Sequence, residues 1–142
     1  MPDKMLILRG IAGHYDGRDW PRGALYEEPA LEYGRRQGYV GQVLDVVGAT
    51  GERSQQTVMA LAAFRRDTGI AALYGFSGGG YNVRHMIDGL NPAEKSRIRL
   101  EVVLAAPKNP EQMYKGSGEL VYRKDPPGGH MDGPRALLAE LH

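Results

Sequence analysis

The sequence predicts one α/β domain, a three-layer sandwich built on a mostly parallel sheet of about five strands. Three observations lead to this fold class. Short apolar runs recur along the chain, helix-like segments separate them, and the runs do not alternate strictly with polar residues. Continuous apolar runs suit strands that are covered on both faces, and strands that alternate with helices imply right-handed crossovers and a parallel sheet. A length of 142 residues fits a single domain spanning 1–142.

The candidate strands are the apolar runs themselves. Each is short enough for an ordinary strand, and most are bounded by glycine, proline or charged residues. In chain order they lie at residues 5–8, 40–47, 70–76, 100–106 and 120–122. We expect the carboxyl ends of these strands to meet at one edge of the sheet, where sites of α/β proteins usually lie.

Three segments between and after the strands have helical patterns. The segment 20–38 is expected to be helical after Pro29. Asp132 and Gly133 precede Pro134, a favourable first-turn residue, so a last helix is expected to begin there. The clearest helix lies between the second and third strands. The apolar stripe expected for this clearest helix is Thr57, Val58, Leu61, Ala62 and Phe64. The stripe expected for the C-terminal helix is Leu137, Leu138 and Leu141.

Composition excludes several function classes. Lysine and arginine number 18 against 17 aspartates and glutamates, so no overall field favours nucleic acid or an anionic membrane. The short basic groups at 35–36, 65–66 and 95–99 are expected on solvated helix faces. The N-terminal apolar run is too short for a signal peptide or a membrane span. We therefore expect a soluble, cytoplasmic protein without nucleic-acid or membrane partners, and composition sets no oligomeric state.

Residues 75–79 read GFSGG, a GxSxG pattern that places Ser77 between a buried strand and a helix. This context predicts a nucleophile elbow, a tight turn that imposes strained backbone angles on the serine and exposes its hydroxyl at the sheet edge. The amide of Gly78 would then stand at a helix N-terminus, where it can donate to an oxyanion. Two alternatives are an anion-binding loop and a purely structural turn.

A serine nucleophile needs a base, and the chain has no cysteine to replace the serine and four histidines to activate it. His130 is the best candidate because it lies in a glycine- and proline-rich loop between the last strand and the last helix. The alternative for His130 is an ordinary exposed loop residue. His85 falls inside the helix after Ser77, His142 is terminal, and His14 precedes the serine.

The histidine in turn needs an acceptor that fixes its tautomer and stabilises its charged form. Asp125 ends the last strand segment five residues before His130, and the glycines between them permit the chain to turn back. Glu111 and Asn109, in the loop after the fourth strand, are competitors. Asp132 is expected instead to cap the last helix.

The chain resembles the α/β-hydrolase superfamily, and within it the minimal cutinase-like serine esterases without a lid. The segments that carry the resemblance are LILRG, LDVVGATGE, YGFSGGG, VVLAAPKN and DPPGGHMDGP, in that order. The resemblance implies a carboxylesterase with no cofactor and a small-molecule ester as substrate. The residues that it implies are Ser77, Asp125 and His130 as triad, and Gly78 and Ile11 as oxyanion hole. Without a lid, loop residues would form a shallow pocket. His14 and Tyr81 are candidate substrate contacts, as are Tyr15, Asp16 and Trp20, and the alternative for each is an ordinary surface or core residue.

Two other function classes remain open from the sequence. The segment VVGATGE at 46–52 is similar to a dinucleotide-binding turn, although it follows the second strand and has Ser54 where the third glycine belongs. The second class is a binding or accessory protein that has a hydrolase-like fold but does not catalyse a reaction. No metal site is assigned, because the histidine and aspartates at 14–19 lack a ligand spacing that would place them on one face.

Overall fold

The structure, a computed structural model, describes residues 3–10, 27–46, 54–104, 118–129 and 132–141. These residues form strands and helices that alternate for most of the chain. Their bounds are β1 Asp3–Leu8, α1 Glu27–Arg36, β2 Tyr39–Leu44, α2 Gln55–Arg66, β3 Ile70–Phe76, α3 Gly78–Asp88, α4 Pro92–Lys95, β4 Leu100–Leu104, β5 Glu119–Arg123 and α5 Gly133–Ala139.

The described strands form one five-stranded sheet in the order β2-β1-β3-β4-β5, and every pairing is parallel. This confirms the predicted α/β class. The central strand, β3, is buried along its whole length. Its last residue, Phe76, lies opposite Leu104 of β4, which in turn lies opposite Arg123 of β5. The carboxyl ends of these three strands therefore form one row at the same edge of the sheet.

Two apolar clusters cover the two faces of the sheet, which gives the three-layer arrangement. On one face, α2 and α3 pack on inward-facing residues of β1, β3 and β4 through Phe64, Val83, Met86 and Ile87. On the other face, α1 and α5 supply Ala30, Tyr33 and Leu137. Successive strand residues alternate between the clusters, as the two-residue period of a strand requires.

The buried face of α2 differs from the sequence prediction. Val58 and Ala62 are expected on the apolar side, but both are exposed, Val58 to 54%. The buried face is rotated because Gln56 points into the protein. Hydrogen bonds there satisfy both its amide nitrogen and its amide oxygen. The N-cap is Ser54, whose Oγ accepts from the amide of Thr57 at 3.2 Å. The residues that α2 does bury are Gln56, Thr57, Ala60, Ala63 and Phe64.

The first and last helices begin close to the expected positions. In α1, Pro29 lies in the first turn, where its missing N–H group costs no intrahelical bond. In α5, Pro134 lies in the first turn and Leu137 is buried, as predicted. Asp132 occupies the N-cap position without a side-chain capping bond, and its carboxylate instead lies 3.3 Å from the guanidinium of Arg135.

One expected solvated basic residue has a structural role. Arg97 stacks on the ring of Phe64 with its guanidinium carbon 3.9 Å from the ring centroid. It also donates to the carbonyl oxygens of Phe64 and Asp67, both at 2.9 Å. These carbonyls lie at the C-terminal end of α2, so the arginine satisfies acceptors that have no partner within the helix. Among the helices that the structure describes, none is long and apolar enough to cross a membrane.

Candidate functional site

Ser77 lies at the turn between β3 and α3 with φ 57° and ψ −121°. Among the described residues it is the one non-glycine residue with a positive φ. Such a backbone conformation costs on the order of 1–3 kcal/mol and persists only where the surroundings enforce it. The strained turn that the GxSxG pattern predicted is therefore present at the carboxyl edge of the central strand.

Backbone hydrogen bonds hold the Ser77 peptide groups on both sides. The amide of Ser77 donates to the carbonyl oxygen of Leu104, at the end of β4, at 2.8 Å. The carbonyl oxygen of Ser77 accepts from the amides of Gly80 at 2.9 Å and Tyr81 at 3.3 Å. The turn is thus fastened to the neighbouring strand and to the first turn of its own helix.

The glycines on either side of Ser77 are required by close backbone contacts. A Cβ atom on Gly75 would lie 2.7 Å from the Cα atom of Gly80. A Cβ atom on Gly79 would lie 2.6 Å from the carbonyl carbon of Leu8 and would overlap its oxygen. Strand β3 and helix α3 approach each other, and both approach the end of β1, only because these positions have no side chain.

Two backbone segments lie beside the serine where an oxyanion could be bound. Gly78 is the first residue of α3, so its N–H group belongs to the helix terminus that has no intrahelical partners. Gly10, after β1, also touches the turn: a Cβ atom on it would lie 3.1 Å from the Cβ atom of Ser77. Ile11, the other expected amide donor, follows Gly10 and lies outside the described residues.

Asp125 lies at the same edge of the sheet as Ser77. It is exposed and comes two residues after the end of β5, while Ser77 comes one residue after the end of β3. Because β4 separates these strands, two interstrand spacings, or about 10 Å, divide their ends. An imidazole with its two ring nitrogens hydrogen-bonded can bridge side chains across such a gap.

Tyr122 connects the region of Asp125 with the first turn of α3. Burial is the main cause that raises the pKa of Tyr122, and the charges of Tyr81 and Asp125 raise it further. Both groups therefore lie within electrostatic range of the same phenol. Tyr81, the expected substrate contact, is half-buried and comes four residues after Ser77.

Several predicted site residues lie outside the part of the chain that the structure describes. They are His130, Ile11, His14, Tyr15, Asp16, Trp20, Glu111, Asn109 and all but the first residue of the turn at 46–52. His85 is described and lies in the last turn of α3. It is eight residues after Ser77, which corresponds to about 12 Å along the helix axis. Among the described residues, no group of three histidine or acidic side chains could hold a metal ion.

Sequence reasoning missed a buried polar cluster next to the serine turn. Gln56 and Asn82 are both 0% exposed and hydrogen-bonded to each other. Arg9 lies close to them, and its Nε atom is 2.7 Å from Oε1 of Glu27. The available signals were an arginine directly after the first strand and an asparagine inside the helix that follows GxSxG.

Sequence reasoning also missed a buried acid in the fourth strand. Glu101 is 0% exposed, and no described group hydrogen-bonds either of its carboxyl oxygens. Burial, with a further contribution from the charge of Asp88, raises its pKa to about 8. Glu101 pairs in register with Leu73, which comes four residues before Ser77 in the adjacent strand. It therefore lies inside the sheet, away from the carboxyl edge where Ser77 is found. The signal was a charged residue inside the apolar run LEVVL.

Comparisons with known proteins support the fold. No family model matches the sequence, and no curated protein matches it. A solved structure, the metagenomic carboxyl esterase MGS0156, is similar with a TM-score of 0.50 and 11% sequence identity. The alignment covers 99% of this chain and 46% of that chain, so this chain spans about half the length of the esterase. At this identity the likeness concerns the fold alone.

Proposed function

We propose that the protein is a serine hydrolase, most simply a carboxylesterase, with Ser77 as its nucleophile. The observation that carries the proposal is the strained backbone of Ser77 at the strand-to-helix turn, at the carboxyl edge of the central strand. Strain of this kind concentrates at functional sites, and the GxSxG elbow is its hydrolase form. The fold similarity to a carboxyl esterase favours the same reaction class.

In the proposed mechanism, the Oγ atom of Ser77 attacks the ester carbonyl carbon while His130 takes the hydroxyl proton. The tetrahedral intermediate collapses, and His130 gives the proton to the departing alcohol. Water then attacks the acyl-enzyme by the same route, which releases the acid and restores Ser77. Asp125 accepts the hydrogen bond from the other ring nitrogen and stabilises the imidazolium. Its place at the same sheet edge supports this role.

The amides of Gly78 and Ile11 are proposed to bind the negative charge of the tetrahedral intermediate. A helix N-terminus at Gly78 and the contact of Gly10 with the Ser77 side chain support this arrangement. His14 and Tyr81 are proposed to border a small or medium ester. The finer assignment is a minimal cutinase-like esterase without a lid, in which loop residues form a shallow pocket.

The proposal is tested with Ser77→Ala on short p-nitrophenyl esters. Loss of a triad serine costs on the order of a million-fold in turnover, so the variant is expected to retain essentially no enzymatic hydrolysis. Ser96→Ala is the matched control, because Ser96 is exposed at the end of α4 and lies away from the turn. Full activity in a folded Ser77→Ala variant would remove Ser77 from the role of nucleophile.

A further inference from the structure

A chain of buried hydrogen bonds joins the helix after Ser77 to the end of β1. Asn82 of α3 donates from Nδ2 to Oε1 of Gln56 at 2.8 Å. Gln56, in the first turn of α2, then donates from Nε2 to the carbonyl oxygen of Arg9 at 2.9 Å. The same nitrogen donates to the carbonyl oxygen of Val46, just after β2, also at 2.9 Å. One amide side chain therefore holds the ends of two neighbouring strands.

The backbone at Arg9 is where this chain of hydrogen bonds meets the serine turn. A Cβ atom on Gly79 would lie 2.7 Å from the carbonyl oxygen of Arg9, so the helix and this carbonyl are in direct contact. The next residue, Gly10, lies against the Ser77 side chain. The Arg9 carbonyl therefore lies in the contact between the end of β1 and the serine turn.

The side chain of Arg9 is fixed independently of its carbonyl. Its Nε atom lies 2.7 Å from Oε1 of Glu27, and the two side chains are only 10% and 6% exposed. Its Nη1 atom donates to Asp45 at 3.2 Å. Glu27 of α1 and Asp45 after β2 therefore hold the guanidinium of Arg9. The hydrogen bond from Gln56 acts separately, because it holds the carbonyl group of Arg9.

We infer that Gln56 and Asn82 are positioning residues, which hold the end of β1 against Ser77 and so set the geometry for attack on the substrate. The inference rests on the proposed function and names residues that act through the backbone rather than on substrate. Glutamine suits the position because one side chain supplies two N–H donors for two carbonyls and an acceptor for Asn82. Each of these three capacities is used.

The test is Gln56→Met, which keeps the length of the side chain and removes both donors and the acceptor. Misplacement of reacting groups by about 1 Å costs on the order of a hundredfold in rate, so kcat for a p-nitrophenyl ester is expected to fall about 10- to 100-fold. KM is expected to change by less than about twofold, because ground-state contacts remain. Both proteins are assayed well below their unfolding temperatures.

Asn82→Ala is the second variant and decides the matter if Gln56→Met does not fold. It removes the donor to Gln56 and keeps both hydrogen bonds to the strand ends. Because the hydrogen bonds to the strand ends remain, the misplacement of the serine turn is smaller, and kcat is expected to fall by about threefold to tenfold. The double variant is expected to be no slower than Gln56→Met alone, since both residues act through one network.

Gln55→Met is the matched control, because Gln55 is the exposed neighbour of Gln56 on the same helix. It is expected to leave kcat within about twofold of the wild-type value. A folded Gln56→Met variant with wild-type kcat, or a loss reproduced by Gln55→Met, overturns the inference and leaves the proposed function intact. If Gln56→Met does not fold, a folded Asn82→Ala variant with wild-type kcat overturns the inference in the same way. Folded wild-type protein that neither hydrolyses esters nor reacts with a fluorophosphonate overturns both.

Discussion

Backbone hydrogen bonds to neighbouring elements hold Ser77 in an unfavourable backbone conformation. Its amide donates a hydrogen bond to the end of β4, and its carbonyl oxygen accepts hydrogen bonds from the first turn of α3. These bonds compensate for a strain of about 1–3 kcal/mol. Alanine keeps the Cβ atom and the backbone hydrogen bonds of the turn, so Ser77→Ala is expected to keep the fold, which makes it a test of chemistry.

The proposed triad acid, Asp125, and its competitor Glu111 are distinguished by the effect of their substitution on turnover. Asp125→Asn is expected to lower kcat on the order of 1,000- to 10,000-fold, because an amide favours the wrong tautomer of His130. Glu111→Gln is the matched comparison and is expected to stay within about threefold of wild type. Steady-state kinetics on one ester measure both. The reverse ranking would assign the acid to the segment that follows β4 in the sequence.

Glu101 is expected to make stability depend on pH in a direction opposite to that of most acids. Its pKa is raised from 4.5 to about 8 in the folded protein, so the folded state holds a proton that the unfolded state releases. Its stabilising contribution is fully present below about pH 4.5 and is lost as pH rises to about 8. Between these values the free energy of unfolding falls by about 1.4 kcal/mol per pH unit.

Glu101→Gln should remove this dependence while keeping the shape of the side chain. The free energy of unfolding of the variant, relative to wild type, is expected to increase between pH 5 and pH 8, by on the order of a few kcal/mol in urea titrations. Glu119→Gln is the control, because Glu119 is an exposed acid of the adjacent strand. An equal pH response in wild type and Glu101→Gln would contradict the assignment.

The three elements around the serine turn depend on backbone contact at Gly79. In Gly79→Ala, the new Cβ atom would overlap the carbonyl oxygen of Leu8, and backbone on both sides prevents an easy adjustment. We expect the variant to lose about 3 kcal/mol of stability, the upper end for an overpacked core. Thermal and urea unfolding measure the change.

Gly89→Ala is the matched control for this substitution. Gly89 ends α3 with φ −84°, and a Cβ atom there would lie 3.4 Å from a Leu61 methyl group, an ordinary contact. Its stability is expected to stay within about 0.5 kcal/mol of wild type. Equal effects at the two positions would show that the contact of α3 with β1 is not a tight constraint.

The whole fold was predictable where apolar patterns were long and unambiguous. The run at 70–76 became the fully buried β3, and glycine, proline and aspartate near residue 133 located the start of α5. The rotation of α2 was not predictable, because Gln56 is buried through hydrogen bonds to carbonyl groups that are distant in sequence. The role of Arg97 depends in the same way on the end of a helix about 30 residues away.

The site was predictable to the extent that local geometry determines it. GxSxG between strand and helix predicted the strained Ser77, since close backbone contacts explain both glycines. The register of parallel strands then placed Asp125 at the same edge. The network of Gln56, Asn82 and Arg9 has no local pattern, because two helices and the residue after β1 supply its members, and only tertiary folding brings these together.

The most direct test of the account is the reaction of the whole protein with a fluorophosphonate, followed by mass spectrometry of its peptides. An activated elbow serine attacks phosphorus, displaces fluoride and leaves one stable adduct. The account predicts a single adduct on Ser77 of wild-type protein and none on the folded Ser77→Ala variant. Folded wild-type protein that stays unmodified would contradict the account and favour a binding protein without catalysis. An adduct on another residue would contradict the account by assigning the nucleophile elsewhere.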